Sequence, residues 1–209
     1  MDRKQKYGTK KHYNEKKIML RFFLIILVSF YSNAFSEDIK KTYFGGGCFW
    51  CMEESFDKVD GVTNVISGYS GGTKPYPTYK EVTYGNTGHI EVVEITYDSK
   101  KISFDELLNI FWKNIDPFDA TGQFCDKGYS YKSAAFYMND NQKKSIEKSI
   151  KVLENDFNNK KVVTFVKKFE KFYPAEDYHQ NYYQTNFINY LLYKKGCGRE
   201  SRLENIWQQ

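Results

Sequence analysis

Gly45-Gly46-Gly47-Cys48-Phe49-Trp50-Cys51-Met52-Glu53 is the stretch on which the reading of this chain turns. Thr42 to Gly46 reads as a short strand that runs into the glycines, and Phe49 to Val59 reads as a helix. Cys48 then falls at the first turn of that helix. The backbone N–H groups there lack intrahelical partners, and the helix dipole places roughly +0.5 charge at that end. A thiolate is favoured in such a place, and the thiolate is the reactive form of cysteine. Phe49 and Trp50 follow at once, so the nucleophile sits beside an apolar wall suited to a small apolar group on an electrophile.

Outward from this turn, Val62 to Gly68 reads as a strand, and Gly71-Gly72 with Pro75 and Pro77 as a loop. Ile90 to Tyr97 is rich in β-formers. Ser103 and Glu106 form the signature of a capping box, with Leu107, Leu108, Phe111 and Trp112 on one helical face and Pro117 past the end. Ser133 to Met138 reads as a strand, and Asn139 to Phe157 as a polar helix with Ile146, Ile150 and Leu153 inward. Val162 to Val166 is a further expected strand, and after Phe172 the pattern loosens. The expectation is a single α+β domain with an extended C-terminal coil wrapped on its surface.

The chain has 209 residues and a net charge of +5, but that charge is unevenly placed. Residues 1–34 hold eight basic and two acidic residues, so the remainder carries −1 and offers no basic footprint for nucleic acid. Lys16-Lys17, the apolar run Phe22 to Tyr31 and the small residues Ser32, Ala34 and Ser36 have the layout of an export signal. Cleavage after Ala34 or after Ser36 fits, Met19 is an alternative start, and an uncleaved membrane anchor is the alternative reading. The main domain is placed at 40–209. An exported protein meets oxidising conditions in which disulfides persist.

The four cysteines are Cys48, Cys51, Cys125 and Cys197. Cys48 and Cys51 form a C-x-x-C, which reads as a thioredoxin-like redox pair, as half of a metal site, or as a single nucleophile with redox partners. Two bulky aromatics between the cysteines and no clean βαβ lead-in argue against the first. The lack of a second close ligand pair argues against the second. The single nucleophile, Cys48, is favoured. His89 and His179 are candidate bases, and either can equally be a structural histidine.

Eight motifs stand in register: Gly47-Cys48-Phe49-Trp50, Gly68-Tyr69-Ser70-Gly71-Gly72, Tyr79-Lys80-Glu81-Val82, Thr87-Gly88-His89-Ile90-Glu91, Phe111 to Pro117, Gly122-Gln123-Phe124-Cys125-Asp126, Tyr131-Lys132-Ser133-Ala134, and Pro174 to Gln180. In these the chain resembles the peptide methionine sulfoxide reductases of the A type, from about Thr42 to its end. The resemblance implies an α+β two-layer sandwich with a ferredoxin-like mixed sheet and long coils. It implies Cys48 as nucleophile, Phe49 and Trp50 as the pocket for the sulfoxide methyl, and Glu91 as the acid that protonates the sulfoxide oxygen. Tyr79 and Tyr131 would hydrogen-bond that oxygen, and Asp126 would help organise the site. The implied activity is thiol-dependent reduction of methionine-S-sulfoxide, free or in peptides and proteins, and so repair of oxidised proteins. No bound cofactor and no metal are implied. The implied partners are oxidised proteins and a thioredoxin-like dithiol, and the chain is expected to be an exported, periplasmic monomer.

The residues suit that chemistry. A sulfoxide sulfur becomes electrophilic when its oxygen is protonated. A carboxyl group against aromatic walls is desolvated and stays neutral, so Glu91 would be a proton donor. Attack by Cys48 leaves a sulfenic acid, which condenses with a second thiol and is recycled by exchange. Cys197, flanked by Gly196 and Gly198, is the expected resolving thiol, with Cys51 and Cys125 as alternatives.

Overall fold

The computed structural model describes residues 37–208. The expected leader, the start at Met19 and the two cleavage sites lie outside the described residues. In order come β1 (Ile39–Gly46), α1 (Phe49–Asp57), β2 (Val62–Ser70), α2 (Tyr79–Tyr84), β3 (Ile90–Asp98) and α3 (Phe104–Lys113). The short pair β4 (Gly122–Gln123) and β5 (Asp126–Lys127) follows, then β6 (Ser133–Tyr137), α4 (Asp140–Asp156), β7 (Phe165–Lys168) and β8 (Phe172–Pro174). Helices α5 (Tyr182–Thr185), α6 (Phe187–Gly196) and α7 (Arg199–Trp207) close the chain. No helix among the described residues is long and apolar enough to cross a membrane.

The main sheet runs β7-β6-β1-β3-β2-β8, with β6 and β7 parallel and the other neighbours antiparallel. Its inner four strands, with α1 and α3 as the crossovers, are the ferredoxin-like arrangement of an α+β domain. Side chains alternate across a strand. Val93, Ile95 and Tyr97 therefore join Phe44, Phe56, Leu107 and Phe111 under the helices, while Ile90 and Val92 join Tyr43 and Phe136 on the other face. That second face is covered by Phe165, Phe169 and Phe172, and Tyr43 stacks on Phe169 with ring centroids 3.8 Å apart. Glu91 shares the parity of Val93 and Ile95, so the same alternation aims it at the helix layer.

The Ser103 capping box forms as expected: Ser103 Oγ accepts the Glu106 N–H at 3.2 Å, and Glu106 Oε2 accepts the Ser103 N–H at 2.8 Å. Two expectations need correction. The strand expected at Val162 to Val166 lies at Phe165–Lys168. The Val162 N–H is taken by Glu154 and the Val163 N–H by the Pro117 carbonyl, so pairing with β6 starts only at Phe165. The C-terminal segment wraps the domain but is built largely of helices rather than coil. Its helices lack a clean apolar stripe, because tyrosines rather than aliphatic residues make their inward contacts.

Two glycines before Cys48 are fixed by close approach. A Cβ on Gly46 would lie 2.3 Å from Met52 Sδ, and one on Gly47 would lie 2.5 Å from Gln123 Cβ at a φ of +77°. Gly46→Ala is expected to destabilise the fold by about 1–3 kcal/mol, the usual cost of overpacking, read as a lower denaturant midpoint.

Glu53 ties α1 to β2 and to the tail. Its carboxylate accepts the Asn181 N–H at 3.0 Å and the Ser67 hydroxyl at 3.2 Å. Burial raises its pKa from 4.5 to about 7, against the pull of those two hydrogen bonds. The folded protein thus keeps a proton that the unfolded chain releases above pH 4.5, so stability is fullest below that pH and declines as the pH rises to about 7. The span corresponds to about 3 kcal/mol. Glu53→Gln should flatten denaturant midpoints across this window; a slope equal to that of the unsubstituted protein would refute the assignment.

Candidate active site

Cys48 is the N-cap residue of α1, presented by the glycine turn at the end of β1. Its side chain opens on a cavity of about 50 Å³ lined by Cys48, Phe49, Trp50, Tyr79, Glu91, Asp126, Tyr131 and Tyr193. Phe49, Trp50, Tyr79, Glu91, Asp126 and Tyr131, the residues that the family resemblance implies, converge here from α1, α2, β3, β5 and the turn before β6, whereas the candidate bases His89 and His179 do not line it. A wider groove of about 580 Å³, between α3, α4 and α7, contains none of them.

Glu91 is buried, and its Oε2 accepts the Phe49 N–H at 2.9 Å. Burial is the largest influence on the carboxyl group and pushes its pKa well up; the Phe49 N–H opposes this, while the nearby Asp126 and Cys51 reinforce it. Burial therefore favours the neutral acid form of Glu91. The Tyr79 and Tyr131 hydroxyls stand 3.5 Å apart, both held protonated by burial, with Tyr79 pushed up to about 12. Tyr79 is set in place through its own N–H, which donates to Glu176 Oε1 at 2.9 Å; the Tyr69 hydroxyl takes Glu176 Oε2 at 2.8 Å. Asp126 accepts the Tyr193 hydroxyl, and its pKa is raised by burial despite that bond.

The cysteines divide into two pairs. Cys48 and Cys51 are buried free thiols that hydrogen-bond each other, while Cys125 and Cys197 form a disulfide. Burial, then Cys51, raises the Cys48 pKa, so the helix N-terminus does not by itself make Cys48 the resting thiolate. Cys51 is the thiol whose ionisation the surroundings favour: its pKa is lowered to about 7, first by the hydrogen bond from Cys48 and, against burial, by Arg199, Tyr190 and Lys194. Cys197, expected to reach Cys48, is bonded to Cys125 here.

The histidines are not bases for Cys48. His89 spends both ring nitrogens on the loop, Nδ1 accepting the Gly72 N–H at 3.2 Å and Nε2 donating to the Lys74 carbonyl at 2.7 Å. His179 is buried against Phe49 and Tyr79, with centroids 5.0 and 4.5 Å away, and burial lowers its pKa. Its two nitrogens and Trp50 Nε1 have no hydrogen-bond partner among the described residues. Sequence reasoning missed the tail's contribution. Tyr182 stacks on Trp50 at 3.9 Å, Tyr193 lines the cavity, and Tyr190 packs beside Cys51. The three-residue spacing of Tyr190 and Tyr193, one helical face, was the available signal.

Residues 40–209 match the family model of peptide methionine sulfoxide reductase. The chain is 45% identical over 163 residues to peptide methionine sulfoxide reductase MsrA 2 of Staphylococcus aureus strain MW2, covering 78% of this chain and 92% of that protein. It is 44% identical over 173 residues to MsrA of Listeria innocua, covering 82% and 98%. Among solved structures, methionine sulfoxide reductase A of Corynebacterium diphtheriae superposes with a TM-score of 0.64 at 30% identity, covering 71% of this chain and 75% of that one. Reduced Mxr1 of Saccharomyces cerevisiae gives 0.66 at 31% identity, covering 71% and 86%. A buried acid and a thiol sharing a methyl-sized cavity agree with that likeness, and the chain belongs to the peptide methionine sulfoxide reductase family, A type.

Proposed function

We propose that Cys48 and Glu91 carry out the reduction of methionine-S-sulfoxide, free or in peptides and proteins, and that the enzyme repairs oxidised proteins. The observation that carries the residue roles is the buried Glu91, its pKa pushed up by burial, lining the same small cavity as the Cys48 sulfur, walled by Phe49 and Trp50. The sulfoxide methyl packs on the two aromatic rings. Glu91 protonates the sulfoxide oxygen while Tyr79 and Tyr131 donate hydrogen bonds to it. The Cys48 sulfur attacks the electrophilic sulfur, the oxygen passes to Cys48, and the thioether departs. The proton that Cys48 gives up restores Glu91. Asp126, steadied by Tyr193, organises the rim.

Cys51 is the resolving thiol this geometry favours, because it is a free buried thiol one helical turn from Cys48, its N–H 3.2 Å from the Cys48 carbonyl, while Cys197 is engaged with Cys125. An external dithiol of the thioredoxin type then resets the enzyme by exchange. Cys125, exposed in the Cys125–Cys197 bridge, offers it a point of attack. Reduced Cys197 can in turn exchange with the Cys48–Cys51 disulfide. The leader supports export to the periplasm, with retention by an uncleaved anchor as the alternative. That compartment suits the Cys125–Cys197 bridge.

Cys48→Ser should abolish reduction of a methionine sulfoxide peptide. Glu91→Gln should slow the first chemical step by about 10²–10⁴-fold, the range for a lost general acid, in single-turnover assays at pH 7; an unaltered rate removes Glu91 from the mechanism. Cys51→Ser should still release one equivalent of methionine while leaving a dimedone-reactive Cys48, detected by mass spectrometry. A Cys48–Cys197 disulfide in the unsubstituted enzyme after one turnover would transfer the resolving role to Cys197.

A further inference from the structure

Arg199 opens α7, yet its side chain is buried beneath the catalytic turn. Its guanidinium donates to the Gly46 carbonyl at 3.3 Å, to Met52 Sδ at 3.3 Å and to the Asn114 carbonyl at 2.5 Å. The Phe124 ring lies against its other side, 4.5 Å away. No carboxylate among the described residues lies within ion-pair distance of it; Asp126, whose pKa it pulls down from further off, takes the Tyr193 hydroxyl, and Asp116 pairs with Arg202. A buried charge without a counter-ion is costly, and proteins keep one where it meets an opposite charge that the site requires. Gly46 and Met52 flank the Cys48–Cys51 turn in sequence, so the guanidinium is held against the two residues on either side of that turn.

We propose that Arg199 is a positioning residue for the resolving step: its buried cation stabilises Cys51 as the thiolate that attacks the Cys48 sulfenic acid. In that step the Cys51 sulfur bonds to the Cys48 sulfur, the S–O bond breaks, and the departing hydroxide takes up a proton as water. The oxidising equivalent comes from the sulfoxide reduced in the preceding step. The chemistry rests on the reading of Cys51 as the resolving thiol. The groups that face Cys51 are Cys48 on its own helix, Glu91 from β3, Tyr190 and Lys194 from α6, and Arg199 from α7. Burial favours the neutral form of Glu91, and Glu54, also on α1, engages Lys194 at 3.0 Å and the Tyr190 hydroxyl at 2.5 Å. Arg199 is thus the facing cation that forms no ion pair, with Asp126 of β5 the acid it also faces at longer range. Its direction of influence on Cys51 agrees with this role. The Cys125–Cys197 disulfide fastens both sides of the clamp, since Phe124 precedes Cys125 and Arg199 follows Cys197 by two residues.

In a Cys48→Ser protein with the Cys125–Cys197 bridge intact, Cys51 is the only free thiol, and its thiolate absorbance near 240 nm can be titrated alone. Arg199→Gln, which keeps donors for the carbonyls, should move the midpoint up by about one unit, a tenfold loss of thiolate near pH 7. Arg199→Lys should restore most of it. Superimposable curves, or equal displacement by Gln and Lys, overturn the proposal in favour of a packing role. If Arg199→Gln fails to fold by near-UV circular dichroism, Arg199→Met carries the same comparison. In single turnover with Cys48 present, Arg199→Gln should slow Cys48–Cys51 disulfide formation about tenfold, in proportion to the thiolate lost, and leave methionine release unchanged. If the unsubstituted enzyme forms no Cys48–Cys51 disulfide, the resolving assignment fails, while the titration still decides whether Arg199 charges Cys51.

Discussion

The hydrogen bond from the Phe49 N–H to Glu91 Oε2 joins the first turn of α1 to the start of β3, and the chemistry is arranged around it. A free backbone donor at a helix N-terminus would ordinarily take water or a cap. Here it takes one oxygen of a carboxyl group, which leaves the other oxygen to carry a proton into the cavity. The bond also sets the acid and the thiol on facing elements. Desolvation outweighs the N–H, which favours the charged form, and shifts the acid toward its neutral form. Burial thus decides the protonation of Glu91, and it decides that of Cys48 in the same direction.

The glycines serve this arrangement through space rather than flexibility. Met52 Sδ and the Gln123 side chain press on Gly46 and Gly47. Gln123 is itself fixed, its Oε1 accepting the Asp116 N–H and its Nε2 donating to the Asp116 carbonyl, both at 2.8 Å. The turn that presents Cys48 is therefore cast against two rigid neighbours. This is the preorganisation that a nucleophile needs if it is to meet the sulfoxide without rearrangement.

The central fold was legible because its signals are local. The glycine turn, the apolar run Ile90 to Tyr97 and the Ser103 capping box each announce an element with no distant partner. The cavity residues were legible through their motifs, not their types: Glu91 two residues after His89 reads as a solvated strand face until Phe49 is known to cover it. The tail was illegible because its order comes from distant groups. Gln180 bonds both the N–H and the carbonyl of Ser67, and Asn181, at a φ of +52°, donates to Glu53. No pattern within residues 175–207 reveals those partners. The protonation of Cys48 was misjudged for a related reason: the helix end is visible in sequence, whereas the burial that outweighs it is not.

The tail's attachment points have a consequence for how the protein would tolerate shortening. Glu53, Ser67 and Glu176 moor it near the sheet, but the side chains that surround the sulfurs, Tyr190, Tyr193 and Arg199, come from its last two helices. A chain ending at Asn181 would keep the strands, α1 and α3, and with them most of the apolar core. It would also leave the indole of Trp50 bare of Tyr182 and open both thiols to solvent. The apolar core and the cover over the two sulfurs are therefore drawn from different parts of this polypeptide.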